Sequence, residues 1–336
     1  MATGSGLVSP PIVEINTMNA VTTKYLQPIM GDAVFQASPV FGEFMREGRR
    51  MESASIPFAV ASTIDTSGGV YWGAQVLASN ITDNVQAAEQ QWRFYRQAIV
   101  VPETDLLLNL ASNPASIQNL LRNKLMIAAG SFLNLLSKAL WEDTSQSSSL
   151  RIDDLNAWLN TTNNNIAGID RTQAANSFWV PNTAFNMSNN TTIPALHQAF
   201  WNYAGIMGYD YPQVMFLPPN NYATLEPLFT QNIRYVSNET DRRAVQTALR
   251  QHFMFKSMVV IQDPFIAGGN GGTLANTGWI INYNYIYPLF FSLLYFNFRP
   301  WQSPSFQFIL VSYIRLGWNI ICVSPKKAGQ VITNMS

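Results

Sequence analysis

The alternation of apolar and polar positions divides this 336-residue chain into segments of different period. Residues 1–35 carry Gly4, Gly6, Pro10, Pro11 and Pro28 without a sustained repeat. They predict an extended arm, which has no face of its own to bury and gains order mainly against a partner. Ser55-Ile56-Pro57-Phe58-Ala59-Val60-Ala61 alternates large and small apolar side chains, and a period of two returns over residues 91–100. The two runs predict a paired ribbon, with Pro57 placing its strand at an edge. Asp65, Gly68, Gly69, Gly73 and Asp83 mark a turn-rich tip between them, which carries Tyr71 and Trp72. A two-stranded ribbon is marginal alone and needs a second surface.

Asn113-Pro114 starts a helix: Asn caps, and Pro fits a first turn whose N–H groups lack helical partners. Leu121, Leu125, Phe132 and Leu136 form its apolar stripe, opposite Lys124, Ser131 and Lys138. Over residues 114–142 it spans roughly 40 Å at 1.5 Å per residue. Residues 144–190 are rich in Ser, Asn and Thr, with residues 152–159 as a short ordered piece. A second helix is expected over 194–207, with Leu196, Phe200 and Tyr203 inward and Gly208 as its stop. A buried strand at 213–217 then leads through Pro218-Pro219 into a helix at 220–230, the alternation of an α/β subdomain. Further strands are expected at 258–261, 279–283, 285–287, 293–298, 307–314 and 318–323. Residues 279–301 hold ten aromatic side chains, suited equally to a core or an interface.

Composition narrows the class. The chain is 47% hydrophobic, enough for one large core or two modest ones, which excludes intrinsic disorder. Only 12% of residues are charged, about half the usual share, and the 20 Lys and Arg balance the 20 Asp and Glu. With so few charges to coat a monomer and no net charge to keep copies apart, much of the surface is available for other protein. Cys322, the one cysteine, lies in an apolar run and reads as a buried small hydrophobe. The longest membrane-like stretch, residues 286–296, is half a spanning helix and is broken by Pro288 and Ser292. No membrane partner and a cytoplasmic product are expected.

The sequence offers little to catalysis. His197 and His252 have no Cys or second His at ligand spacing, so neither points to a metal or an acyl-transfer centre. No catalytic residue, metal or cofactor is expected. Residues 268–272 are a Gly-rich loop without the following Lys and Ser/Thr of a phosphate-binding loop. Asp65 with Asp83, or Asp153 with Asp154, would be the carboxylate pair of a carbohydrate-active enzyme, but beside Ser, Thr and Gly they also read as turn and cap residues. Arg49-Arg50, Arg242-Arg243 and Lys326-Lys327 are isolated doublets rather than a basic stripe, which leaves only weak, non-specific contact with nucleic acid.

Several motifs recur in a recognisable order: Gly69-Val70-Tyr71-Trp72-Gly73, Trp92-Arg93-Phe94-Tyr95, Gly168-Ile169-Asp170-Arg171 followed by Phe178-Trp179, Met215-Phe216-Leu217-Pro218-Pro219 with Tyr222, Val260-Ile261-Gln262-Asp263, and Trp318-Asn319. Over residues 35–334 the chain resembles the major capsid proteins of tailed double-stranded DNA bacteriophages, the family with the HK97-like fold. The resemblance implies an α+β fold with an N-terminal arm (1–45) and a two-stranded extension loop (50–101). It also implies a peripheral domain (102–144 and 256–336) with a spine helix at 114–142, and an axial domain (145–255).

The implied function is self-assembly into pentamers and hexamers that form the icosahedral head shell around the double-stranded DNA genome, built in the host bacterial cytoplasm. The alternatives are a tail-tube or minor virion protein, or a carbohydrate-active enzyme. Implied partners are a portal, a cement protein and a separate scaffolding protein, since about 35 residues precede the motif set. One relative cross-links its shell through a lysine in the extension loop. Residues 51–101 here contain no lysine, so that chemistry is not expected. Tyr71, Trp72, Trp92, Arg93, Phe94 and Arg96 are the candidate intersubunit contacts, aromatics anchoring the loop on a neighbour and arginines meeting carboxylates.

Overall fold

The computed structural model describes residues 39–61, 85–105, 114–141, 150–161, 165–188, 191–207, 210–230, 253–266, 274, 276–304 and 307–335. In chain order these form α1 (Pro39–Arg46), β1 (Arg49–Met51), β2 (Ile56–Ala61), β3 (Val85–Gln90), β4 (Arg93–Pro102), α2 (Pro114–Leu140), α3 (Leu155–Leu159), β5 (Asn165–Ile166), β6 (Ile169–Asp170), β7 (Phe185–Asn186), α4 (Ile193–Met207), β8 (Val214–Leu217), α5 (Pro219–Thr230), β9 (Phe253–Phe255), β10 (Met258–Gln262), β11 (Gly278–Ile281), β12 (Ile286–Phe291), β13 (Asn297–Gln302), β14 (Ile309–Cys322), α6 (Pro325–Ala328) and β15 (Gly329–Thr333). The N-terminal arm expected before residue 39, the ribbon tip with Tyr71 and Trp72, His252 and the Gly-rich loop at 268–272 lie outside the described residues.

The chain divides into two compact units. The first gathers Phe94–Leu136 and Phe290–Gly317. Within it Leu121, Leu125, Phe132 and Leu136 are buried along the predicted stripe of α2, and Ser131 faces solvent. Phe132 meets the ring of Phe296 edge-on at 6.2 Å. Strand β14 pairs antiparallel with β13 and also pairs with β4.

The second unit gathers Pro39–Arg93, Ser137–Leu289 and Trp318–Ser336 around a six-stranded sheet of order β7-β15-β11-β8-β10-β9. All four side chains of β8 are buried, as expected for a strand covered on both faces. Strand β8 runs parallel to β10, joined through α5, whose first residue is Pro219. Helix α4 buries Leu196, Phe200 and Tyr203 as its pattern predicted, in a core shared with Met215, Leu217 and Val260. Cys322 is fully buried, and that burial drives its thiol pKa upward.

Several expectations are corrected. Strand β2 pairs with β3, Ile56 opposite Gln90 and Ala61 opposite Val85, rather than with residues 91–100. Those residues form β4, which belongs with β14. The chain breaks at Gln91-Trp92 because Trp92 turns inward, so one apparent period-two run holds two strands. The expected domain boundary at 255/256 falls inside the β9–β10 hairpin, where Phe255 pairs with Met258. Strands β11 and β15, expected in the other domain, complete the sheet of β8. The expected strand at 293–298 is interrupted because Phe296 takes a left-handed φ of 46°. The runs at 307–314 and 318–323 are one strand, with Gly317 inside it. A Cβ on Gly317 would lie 3.0 Å from the Phe94 ring and from the Phe291 Cβ, so this glycine serves close approach rather than a turn.

Trp141, one residue past α2, packs against Trp279 at 4.7 Å and Phe216 at 5.7 Å between ring centroids. Its indole N–H donates to Oδ2 of the fully buried Asp263 at 2.7 Å. The Asp263 Oδ1 accepts the Phe265 N–H at 2.9 Å. Burial outweighs these two bonds and raises the Asp263 pKa to about 6. A carboxyl raised in the folded state contributes stability that is complete below its unfolded pKa and is lost as pH rises through the folded value. The window is therefore about pH 4 to 6, and the shift is worth on the order of 3 kcal/mol. Thermal melts should show wild type losing stability from pH 4 to 6.5 relative to Asp263→Asn. Asn keeps one acceptor and lowers the absolute melting temperature, so the slope difference is the readout; parallel slopes would contradict the assignment.

Candidate subunit interface

The β2–β3 ribbon is tied to the rest of its unit at its foot, the end where Ile56 pairs with Gln90. Ile56 and Val60 of β2 and Ala88 and Gln90 of β3 are buried along one face of the described ribbon, whereas Val85, Gln86 and Ala87 are exposed. The foot is tied by the Glu89 N–H to the Ala167 carbonyl at 3.3 Å and by the Gln90 amide to Asp153 Oδ2 at 2.5 Å. The Trp92 indole donates to the Ser53 carbonyl at 2.7 Å, and the Asn319 amide to the Gln91 carbonyl at 2.8 Å. Phe58 meets the ring of Trp179 at 6.2 Å.

Behind the foot stands the motif that begins at Gly168. Ala167 and Gly168 have φ of 52° and 80°, the left-handed pair of a two-residue hairpin turn between β5 and β6. The turn delivers Arg171 inward. Its guanidinium donates to four carbonyls: Trp179 at 3.0 Å, Trp158 at 3.0 Å, Ala157 at 3.1 Å and Asn160 at 3.3 Å. Burial pulls the Arg171 pKa down to about 10, so the group stays charged at neutral pH. Asp154 caps α3 through Oδ1 to the Ala157 N–H at 2.6 Å. With Asp153 bonded to Gln90, each carboxylate of this pair holds local structure.

The six candidate contacts part company in space. Tyr71 and Trp72 lie outside the described residues. Trp92 is buried at the ribbon foot, and Arg93 beside it is half-buried. Phe94 and Arg96 stand on the exposed side of β4, where residues 94, 96, 98 and 100 alternate with buried Tyr95 and Ile99. The Phe94 ring, 59% exposed, rests edge-on against Phe291 at 6.0 Å. The Arg96 guanidinium lies 5.8 Å from the Tyr313 ring centroid.

A second exposed cluster escaped sequence reasoning. Trp201 and Tyr211 stand half-exposed, and the Lys256 ammonium lies 4.2 Å from the Trp201 ring and 4.3 Å from that of Phe200. His197 meets Phe255 edge-on at 5.0 Å; burial and then the Lys256 charge lower its pKa. The available signal was Trp201, an aromatic off the inward stripe of α4. Among the described residues, no group of three His, Cys, Asp or Glu is placed to hold a metal.

No protein-family model matches the chain, and no curated protein matches its sequence. Its fold does match solved structures. A chain of the cyanophage A-1(L) capsid asymmetric unit aligns over 89% of this chain and 93% of its own length, at a TM-score of 0.64 and 12% identity. Chains from Mycobacterium phage Adephagia and Mycobacterium phage Cain align at TM-scores of 0.54 and 0.53, each at 12% identity over 89% of this chain and 90% of theirs. The α+β fold is thus that of phage capsid chains, the HK97-like fold implied by the sequence resemblance.

Burial separates the two aromatics that neighbour each other in sequence. Trp92→Ala should cost about 3–5 kcal/mol in chemical denaturation of the unassembled chain. Phe94→Ala should cost about 1 kcal/mol. Equal destabilisation by both would contradict the placement of Phe94 on an open face.

Proposed function

We propose that this chain is the major capsid protein of a tailed double-stranded DNA phage, assembling through pentamers and hexamers into the icosahedral head that encloses the genome. The observation that carries this reading is the likeness to the cyanophage A-1(L) capsid chain, which spans nearly the whole of both chains. The charge-poor composition supports it, because desolvating neutral surface costs less than desolvating unpaired charge.

In this reading residues 1–45 are the N-terminal arm, β2–β3 with its tip is the extension loop, and α2 is the spine helix. Tyr71 and Trp72 at the tip, with Phe94 and Arg96 on β4, contribute to contacts between subunits. Each contact is modest, and closure multiplies them because every subunit holds several neighbours. A scaffolding protein, a portal and a cement protein are the further partners, and contact with packaged DNA is non-specific.

Expression of the full chain with its neighbouring gene products, followed by sedimentation and negative-stain microscopy, tests this. Closed isometric shells are expected. Tubes would identify a tail protein instead, and featureless monomers under every condition would overturn the assembly reading.

A further inference from the structure

Residues 324–335 close the second unit like a strap. They form α6 and β15 and run on to Met335, which is fully buried. Strand β15 lies inside the six-stranded sheet, antiparallel to β11 on one side and parallel to β7 on the other. Strand β7 is two residues long, and β15 is the strand it pairs with among the described residues. Ile332 and Met335 complete a core with Met187, Leu196 and Ile280.

The body holds this strap by its carbonyls. The Asn182 amide donates to the Lys326 carbonyl at 2.5 Å and to that of Gly329 at 3.3 Å. The Tyr203 hydroxyl donates to the Lys327 carbonyl at 2.8 Å, and the Gln330 amide donates in return to the Thr183 carbonyl at 3.0 Å. Asn182, Tyr203 and Gln330 are all buried, so these bonds have no substitute in water once the sheet is closed. Two glycines make room for the fit. A Cβ on Gly329 would lie 2.3 Å from the Ile280 carbonyl oxygen, which is backbone and cannot yield. One on Gly278 would lie 2.8 Å from Leu217 Cδ2 and 2.9 Å from Met335 Sδ, tips of flexible side chains that can.

Sequence separation orders these events. Next to the parallel β8–β10 pair, Ser257 Oγ bonds the Pro212 carbonyl across 45 positions. The clasp on the strap spans 124 positions from Tyr203 and 147 from Asn182. Longer loops cost more entropy to close, and the contacts that close them form later. Residues 324–335 are also the last of the described residues to be synthesised. Until they dock, one edge of β11, a strand whose four side chains are all destined for burial, has no partner. An open edge of that kind invites wrong pairing.

We propose that residues 324–335 are a strap that docks last and, by closing the edge of β11 and giving β7 its partner, turns the second unit from an aggregation-prone intermediate into one competent to assemble. This rests on the capsid reading for what the finished unit goes on to do, and it adds a step that must precede shell formation. Chains with the strap undocked are thereby kept out of particles.

Refolding of the full chain tests this, followed by pulsed hydrogen exchange with mass spectrometry and, at the same time points, by transfer to its neighbouring gene products for assembly. Amides of β8 and β10 should gain protection about tenfold faster than those of β15, and particle yield should follow the slower signal. Gly329→Val should keep the early protection, lose that of β15 and lower particle yield about tenfold, whereas Gly278→Ala should stay within about threefold of wild type. Protection that arises in all these strands together, or particles built from chains whose β15 is unprotected, would overturn the strap. So would loss of protection in every strand of Gly329→Val, which would make β15 part of one cooperative unit. Failure of fully protected wild-type chain to form shells would instead remove the capsid reading, and the order of protection alone would then decide the strap.

Discussion

The ribbon is clamped at its foot, and the behaviour proposed for this chain depends on that anchorage. Backbone and side-chain bonds from Glu89, Gln90, Gln91 and Trp92 hold the foot against Ala167, Asp153, Asn319 and Ser53. Two strands alone bury too little to be stable in water. The clamp fixes the foot of both strands, and Val85 to Ala87 face solvent while Val60, opposite Gln86, is buried.

The clamp is itself stiff because its backing is polar and enclosed. A buried guanidinium bonded to four carbonyls ties the β5–β6 hairpin to α3 and to the turn that ends at Trp179. Removing one member would strand the others without water, so the group acts as a unit. The same logic holds where the Trp141 indole meets the buried Asp263. Both devices spend charge or polarity inside a chain otherwise poor in charged residues. In each, fixed orientation is gained at a desolvation cost that appears as a shifted pKa.

Much of this was legible in the sequence. The stripe of α2, the inward side of α4 and the β8–α5–β10 alternation follow from periodicity and caps, and the HK97-like fold was implied by the resemblance that the ordered motifs carry. What was not legible has local physical causes. A period-two pattern over residues 91–100 cannot say which neighbour it pairs with, and the inward turn of Trp92 sent β4 to β14 instead of β2. Gly317 looks like a strand end but sits beneath an aromatic ring, and the left-handed Phe296 breaks a run that reads as continuous. The six candidate contacts read in the sequence as aromatics and arginines of one ribbon. Alternation splits them, burying Trp92 and exposing Phe94.

The central claim is that copies of this chain bind one another to form a closed shell. A cryo-microscopy reconstruction of particles formed by the full chain measures this most directly. The account predicts a closed shell in which every chain contacts several neighbouring copies. Particles that are open, tubular or absent would contradict it.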